Sequence, residues 1–268
     1  MKDSDVRFTG SVPFNYDRYL VPLLFKPYAE ELAARAARLQ PTRVLETAAG
    51  TGVVTEALAS ALPEAEIIAT DLNQAMLDLA AGRVSSDNVA FREANALELP
   101  FDGSSFDLVI SQFGIMFFPD KVRANAEARR VLRDGGRYMV AIWDDLERNL
   151  LCNLAHEVMA RLFPDNPPMF MQRGPFSYDD PELVRRDLAA AGFWDVDIEV
   201  VELSSRSTSA REGAIGLCYG SPMRVELEEY GEDALERTLD SLIEASRAYE
   251  GPNGFETPMS ALVVTATK

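Results

Sequence analysis

The stretch Arg43-Val44-Leu45-Glu46-Thr47-Ala48-Ala49-Gly50-Thr51-Gly52-Val53-Val54-Thr55-Glu56 decides how this chain is read. An apolar strand ends in a carboxylate, and a turn of small residues opens an amphipathic helix. Ala48, Ala49, Gly50 and Gly52 let a ligand approach the backbone, and the helix presents unpaired N–H groups at its first turn. Val54, Leu58 and Leu62 share a face with Ala57 and Ala61 before Pro63 stops the helix. A second acid, Asp71, ends the next apolar run, Ile67-Ile68-Ala69-Thr70, about twenty residues past the glycines, where open α/β folds bind ribose hydroxyls. Two acids on neighbouring strand ends thus flank one crevice.

At these residues the chain resembles the class I S-adenosylmethionine (SAM) dependent methyltransferases. Their first motif reads acid-x-Gly-x-Gly-x-Gly, and Glu46-Thr47-Ala48-Ala49-Gly50-Thr51-Gly52 matches each fixed position except the first glycine, which is Ala48. The rival is a dinucleotide oxidoreductase, whose G-x-G-x-x-G fingerprint would put Thr55 where a third small residue packs helix on strand. Glu46 would also bring negative charge toward a pyrophosphate, whereas SAM carries an ammonium and a sulfonium and no phosphate. A tight strand–helix turn without a ligand is the plain alternative.

Later segments agree with the resemblance. Asn88 to Phe101 reads as a third strand and a turn, in which Asn95-Ala96 stands where the family usually has Asp-Ala at adenine. Asn95 keeps an acceptor and adds a donor; closing an Asx-turn is its other reading. Phe106-Asp107-Leu108-Val109, a frequent family signature, opens a fourth strand with Ser111-Gln112-Phe113 at its carboxyl end, outside which open sheets bind ligands. Lys121 to Arg133 reads as a helix whose Arg129, Arg130 and Arg133 complement its dipole before Gly135-Gly136, and Arg137 to Trp143 as a fifth strand.

Composition fits one enzyme domain. The 268 residues are 47% hydrophobic and carry a formal net charge of -17. Such acidity argues against a nucleic-acid partner, which needs a basic face. Residues 226 to 250 hold nine acids and two arginines, read as a solvated helix face. Cys152 and Cys218 lie in no C-x-x-C motif, so neither a metal nor a disulfide is expected. The polar start Met1 to Asp5 lacks a signal-peptide core and no apolar run spans a bilayer, which predicts a cytoplasmic protein.

Three stretches organise the chain: an N-terminal arm (1–40), a cofactor core (41–145) and substrate-side elements (146–268) with a helical insertion over about 211–250. In the arm, Tyr16 and Tyr19 precede a helix that Pro27 can begin; they serve as lid residues or pack the core edge. Asn149 to Phe163 looks helical, and the loop from Pro164 to Phe176 is unusually apolar, able to form an adaptable wall. Its Asn166-Pro167-Pro168 resembles the Asn-Pro-Pro-aromatic motif of amino methyltransferases, but follows the fifth strand and ends in Met169; it reads as loop chemistry. Asp180-Pro181-Glu182 starts a helix, Asp195 to Leu203 alternates like a half-exposed strand, and Ser260 to Lys268 forms the last strand.

The resemblance implies a Rossmann-like α/β fold: a seven-stranded, mostly parallel sheet with an antiparallel last strand, helices on both faces, and a cap insertion. It implies SAM as cofactor, with Glu46 and the Thr47–Gly52 turn (Thr47, Ala48, Gly50, Thr51) at the methionyl part. Asp71 falls at the ribose, Asn95 and Ala96 at the adenine, and Ser111 and Gln112 near the sulfonium, with Leu72 and Met76 as further cofactor-binding candidates. It covers about 40 to 145 well, and the closest likeness is to the group containing the ubiquinone and menaquinone biosynthesis methyltransferases. The expected reaction is in-line methyl transfer to a small, partly apolar acceptor, with alignment and desolvation making a base optional. His156, the only histidine, is the one candidate base or else a structural residue. Phe113, Met116 and Phe117 touch substrate or fill the core. A non-catalytic SAM-binding protein is a further alternative, and a homodimer is left open.

Overall fold

A computed structural model describes residues 12–268. The polar start of the arm lies outside the described residues. In chain order the elements are α1 (Val12–Asn15), a π-helical segment (Tyr16–Phe25), α2 (Lys26–Leu39), β1 (Arg43–Thr47), α3 (Val53–Ala61), β2 (Glu66–Asp71), α4 (Gln74–Arg83), β3 (Val89–Glu93), β4 (Phe106–Gln112), α5 (Lys121–Val131) and β5 (Leu132–Trp143). Then follow α6 (Leu150–Leu162), α7 (Phe170–Arg173), α8 (Pro181–Ala190), β6 (Asp195–Ser207), α9 (Ala210–Gly220), α10 (Met223–Glu228), α11 (Ala234–Ser246), β7 (Glu250–Gly251) and β8 (Gly254–Thr267).

The sheet has the order β3-β2-β1-β4-β5-β8-β6, with the two-residue β7 paired on β8. The pairs β1–β2, β1–β4, β2–β3 and β4–β5 are parallel. Against β5, β8 runs antiparallel: Gly135 N–H donates to Lys268 O and Asp144 N–H to Ser260 O. The expected fold class is therefore observed, with the antiparallel strand inserted between its neighbours.

Three boundaries differ from the sequence reading. Helix begins by Val12, not Pro27, and the described arm is helical to Leu39. Pro22 inside it has no N–H to give, and the widened turns accommodate its ring; Lys26 N–H reaches back five residues to Val21 O. Helix α5 stops at Val131 because Ser104 and Ser105 N–H groups take the Arg130 and Val131 carbonyls. Leu132 then pairs with Phe106, and the residues before Arg137 bulge out of the ladder, since Arg137 is the partner of Leu108. The last strand starts at Gly254, six residues earlier than Ser260, because the β7 turn gives it a partner.

Two compact units partition the chain. One comprises Tyr28–Ile142, Tyr178–Val201 and Ala261–Lys268. Its core holds Leu45, Leu58, Ile67, Phe106 and Tyr138, the last stacked on Phe193 at 5.5 Å. Asp107 fastens the start of β1 here: its Oδ2 accepts from Thr42 N–H (2.9 Å), Thr42 Oγ1 (2.6 Å) and Arg43 N–H (2.9 Å), while Oδ1 takes Arg133 at 2.7 Å. These donors hold its carboxyl below the usual range despite the opposing effect of burial.

The other unit comprises the described residues up to Pro27, Trp143–Ser177 and Glu202–Ser260. Leu151, Ala155, Val158 and Met159 of α6, Ala214 and Leu217 of α9, and Leu239 and Leu242 of α11 are buried in it. Helix α9 meets the π-helical segment backbone to backbone, since a Cβ on Gly220 would lie 2.9 Å from Tyr16 N. No described helix is long and apolar enough to cross a membrane.

Candidate functional site

The site is built at the carboxyl ends of β1, β2 and β4, where β-branched and apolar residues bury each strand and leave polar groups at its end. Glu46 pairs with Ala69 of β2 and Ile110 of β4 and is only 2% exposed. Its Oε2 accepts from Thr55 Oγ1 at 2.6 Å, and Thr55, on α3, is itself fully buried. Oε1 receives no hydrogen bond from the described residues, and no described cation pairs with this carboxylate. Burial pushes the Glu46 carboxyl up to about 8; the Thr55 bond opposes the shift and the charge of Asp71 adds to it.

After β1 the chain turns through left-handed backbone at Ala48 (φ 54°), Gly50 (φ 56°) and Gly52 (φ 83°). Asp71 organises this turn. Its Oδ2 accepts from Gly50 N–H and its Oδ1 from Asn73 N–H, both at 2.9 Å, and Asn73 in turn caps α4 through Ala75 N–H at 3.0 Å. Burial raises the Asp71 carboxyl, and these backbone donors oppose the shift. Arg83, closing α4, donates from Nε to Thr51 O at 2.9 Å. Thr51 is buried, and its Oγ1 has no partner among the described residues. Leu72, beside Asp71, is 69% exposed, an apolar side chain left open at the lip of the turn.

The remaining candidates of this unit have distinct surroundings. Asn95 Oδ1 accepts from Leu97 N–H at 2.9 Å, the Asx-turn geometry, and Asn95 O accepts from Glu98 N–H; Ala96 lies in the same turn, partly exposed. Ser111 Oγ donates to Thr47 O at 3.1 Å, tying the ends of β4 and β1. Gln112 ends β4 opposite Ala141. Met76 is buried on α4. Phe113 has φ 53°, is buried, and meets Tyr28 edge to face at 5.3 Å, while Phe117, ending a single 3-10 turn, stays partly exposed.

Tyr16, Tyr19 and His156 belong to the other unit. Tyr16 stacks on Phe25 at 5.0 Å and Arg18 lies over the Tyr19 ring at 5.3 Å. His156 Nε2 is 3.3 Å from Gln172 Nε2, and its Nδ1 is buried with no partner among the described residues, none of which is a carboxylate orienting the ring. The apolar loop contains the short α7 and is anchored by Glu226, which accepts from Phe170 N–H at 2.8 Å and Arg173 at 3.0 Å. With Asn166, Pro167, Met169, Glu229 and Tyr230 this pair lines a cavity of about 400 Å³.

The sequence reading missed Thr55, Arg83 and Glu226. Thr55 counted only as a mismatch to the dinucleotide fingerprint, yet its spacing of nine from Glu46 places it on the first turn of α3, facing the strand end. Arg83 at a helix end and Glu226 in an acidic run carry no signal of their tertiary partners.

The donor set fits a ligand with cationic and hydroxylated parts. Among the described residues, two acids stand at the turn with no cation between them, one with an unengaged oxygen, and a threonine hydroxyl is buried without a partner; an exposed leucine offers an apolar surface. A pyrophosphate would meet like charge there.

Residues 44–136 match the family model described as a methyltransferase domain. A demethylmenaquinone methyltransferase of Deinococcus radiodurans is 39% identical over 110 residues, 40% of this chain and 46% of the relative. A ubiquinone/menaquinone biosynthesis C-methyltransferase of Methylobacterium nodulans is 40% identical over 111 residues, 40% of this chain and 44% of the relative. The matched part thus spans about half the length of these curated relatives or less. Among solved structures, Bacillus YcgJ superposes with a TM-score of 0.57 at 18% identity, covering 90% of this chain and 98% of that one. Phosphoethanolamine N-methyltransferase 2 of Haemonchus contortus, in complex with SAM, superposes with a TM-score of 0.59 at 18% identity, covering 100% of this chain and 60% of that one. These structures share the fold.

Proposed function

We propose, from the premise that this chain carries a class I S-adenosylmethionine-dependent methyltransferase domain, that it transfers the methyl group of SAM to a small, partly apolar acceptor. The observation that supports this best is the left-handed turn at Ala48, Gly50 and Gly52 held by Asp71 beside the buried Glu46. When bound, SAM supplies a methyl group on a sulfonium whose departure leaves a neutral thioether. Glu46 would face the cationic end, Asp71 would accept from the ribose hydroxyls with lone pairs its backbone donors leave over, and Leu72 would lie against an apolar ring face. Asn95 offers its amide NH₂ to the adenine while its oxygen closes the local turn.

The protein's part in the reaction is alignment and exclusion of water, both adequate for a leaving group that departs neutral. His156, with no orienting acid among the described residues, is assigned no proton transfer. The quinone-related names of the sequence relatives support a partly apolar acceptor. A cytoplasmic location belongs to the same reading.

Calorimetric titration with S-adenosylhomocysteine, the expected product, tests the proposal, with NADH and NADPH alongside. Saturable binding of S-adenosylhomocysteine alone is expected. Nicotinamide-cofactor binding in its place would overturn the reading.

A further inference from the structure

The hydroxyl of Thr55 donates to a carboxylate that has no other hydrogen-bond donor among the described residues. The facing residues Ala69 of β2 and Ile110 of β4 carry no charge, and Thr55 is the polar group that α3 contributes. Asp71 is the charged group whose field reaches Glu46, and it is of like sign. A buried acid so placed has one oxygen fixed in direction and a neighbour that disfavours a second negative charge.

We propose that Thr55 is a positioning residue of the cofactor site: it aims Glu46 with one oxygen tied and the other offered to the ligand's cationic end, so that binding expels one proton from the Glu46–Asp71 pair. The inference rests on the cofactor reading above. The proton balance is simple. Before binding, burial and the neighbouring charge of Asp71 favour a proton on Glu46; the incoming ammonium supplies the positive charge that lets Glu46 ionise beside Asp71, and the proton passes to solvent. No bond is made or broken in the ligand. The shift of Glu46 to about 8 places this exchange near neutral pH.

Thr55 is the lever because its bond favours the ionised form of Glu46. Thr55→Val keeps the shape and removes the donor, so Glu46 holds its proton more tightly and binding near neutrality weakens. Thr55→Ser keeps the donor. Glu46→Gln keeps a partner for Thr55 and removes the titration.

The test is titration calorimetry with S-adenosylhomocysteine between pH 6 and 9, in buffers of differing ionisation enthalpy that count the protons released. Ratios to Glu46→Gln cancel the ligand's own titration. Wild type is expected to release close to one proton at pH 7 beyond the Glu46→Gln value, and its affinity relative to that variant rises about tenfold from pH 7 to pH 9. Thr55→Val binds about tenfold more weakly at pH 7, with the deficit closing toward pH 9, and Thr55→Ser binds like wild type. A deficit equal at every pH, or proton release unchanged by Glu46→Gln, overturns the proposal while leaving the cofactor reading intact. If Thr55→Val does not fold, wild type against Glu46→Gln decides alone. No binding by wild type at any pH removes the cofactor reading and the inference with it.

Discussion

The methyl group of Ala48 fills the space a side chain on Gly114 would need: a Cβ at position 114 would lie 2.5 Å from Ala48 Cβ and 3.3 Å from Ser111 Oγ. Ala48 is held at φ 54°, a conformation that favours glycine. Two positions far apart in sequence therefore share one glycine's worth of room. Gly114→Ala is expected to destabilise the protein by about 1–3 kcal/mol through overpacking. Ala48→Gly removes the obstructing methyl and the left-handed cost of about 1–2 kcal/mol, offset by glycine's entropy. The double variant should recover most of the loss; denaturant unfolding of all four proteins gives the coupling, and strict additivity would refute it.

Asp71→Ala removes the acceptor for Gly50 and Asn73 N–H groups as well as the proposed ribose contact. Hydrogen bonds to a charged group contribute about 1.5–3 kcal/mol, so S-adenosylhomocysteine affinity should fall at least about tenfold in a variant that remains folded. Unaltered affinity by calorimetry would take Asp71 out of the site.

Glu46 makes stability pH-dependent in the opposite sense to most carboxylates. Its folded value of about 8 lies above the ordinary 4.5, so between those values the folded protein holds a proton that the unfolded chain has lost. Its contribution is full below pH 4.5 and declines as pH rises through about 8, at up to about 1.4 kcal/mol per pH unit. Unfolding free energies at pH 5, 7 and 9 should fall more steeply in wild type than in Glu46→Gln.

Asp107 works on the acid side. Its carboxyl is held below its ordinary value, so its contribution is present above the unfolded value and lost as pH falls through the folded one. Asp107→Ala strands the Thr42 and Arg43 donors at the start of β1 and should cost about 1–3 kcal/mol near neutral pH, with less difference from wild type in acid.

Glu226→Ala removes the buried carboxylate that Arg173 and Phe170 N–H both donate to. A loss of about 3–5 kcal/mol is expected from breaking a buried pair on one side. Thermal unfolding checks it, and limited proteolysis should show earlier cutting in the loop from Pro164 to Phe176.

What the sequence disclosed was local. The strand, acid and small-residue turn from Arg43 to Gly52 were legible because period and turn chemistry lie in consecutive residues, and Asp71 because its distance from the glycines is a property of the fold. The signature around Asp107 was recognised without its reason, a carboxylate gathering donors from a strand sixty residues earlier. Thr55 passed as a mismatch, since nothing in its neighbours shows that its hydroxyl meets Glu46. The end of α5 was misjudged because Ser104 and Ser105 cap it from a distant turn. The helical arm from Val12 was hidden by Pro22, which the widened turns absorb.

The strand order carries a consequence for synthesis. β8 lies between β5 and β6 yet follows both in the chain, so while the ribosome is still making residues 208 to 253, β6 has no sheet partner. The acids at alternate positions along its first half, Asp195, Asp197 and Glu199, are charges of the kind that discourage an unpaired strand edge from joining another chain.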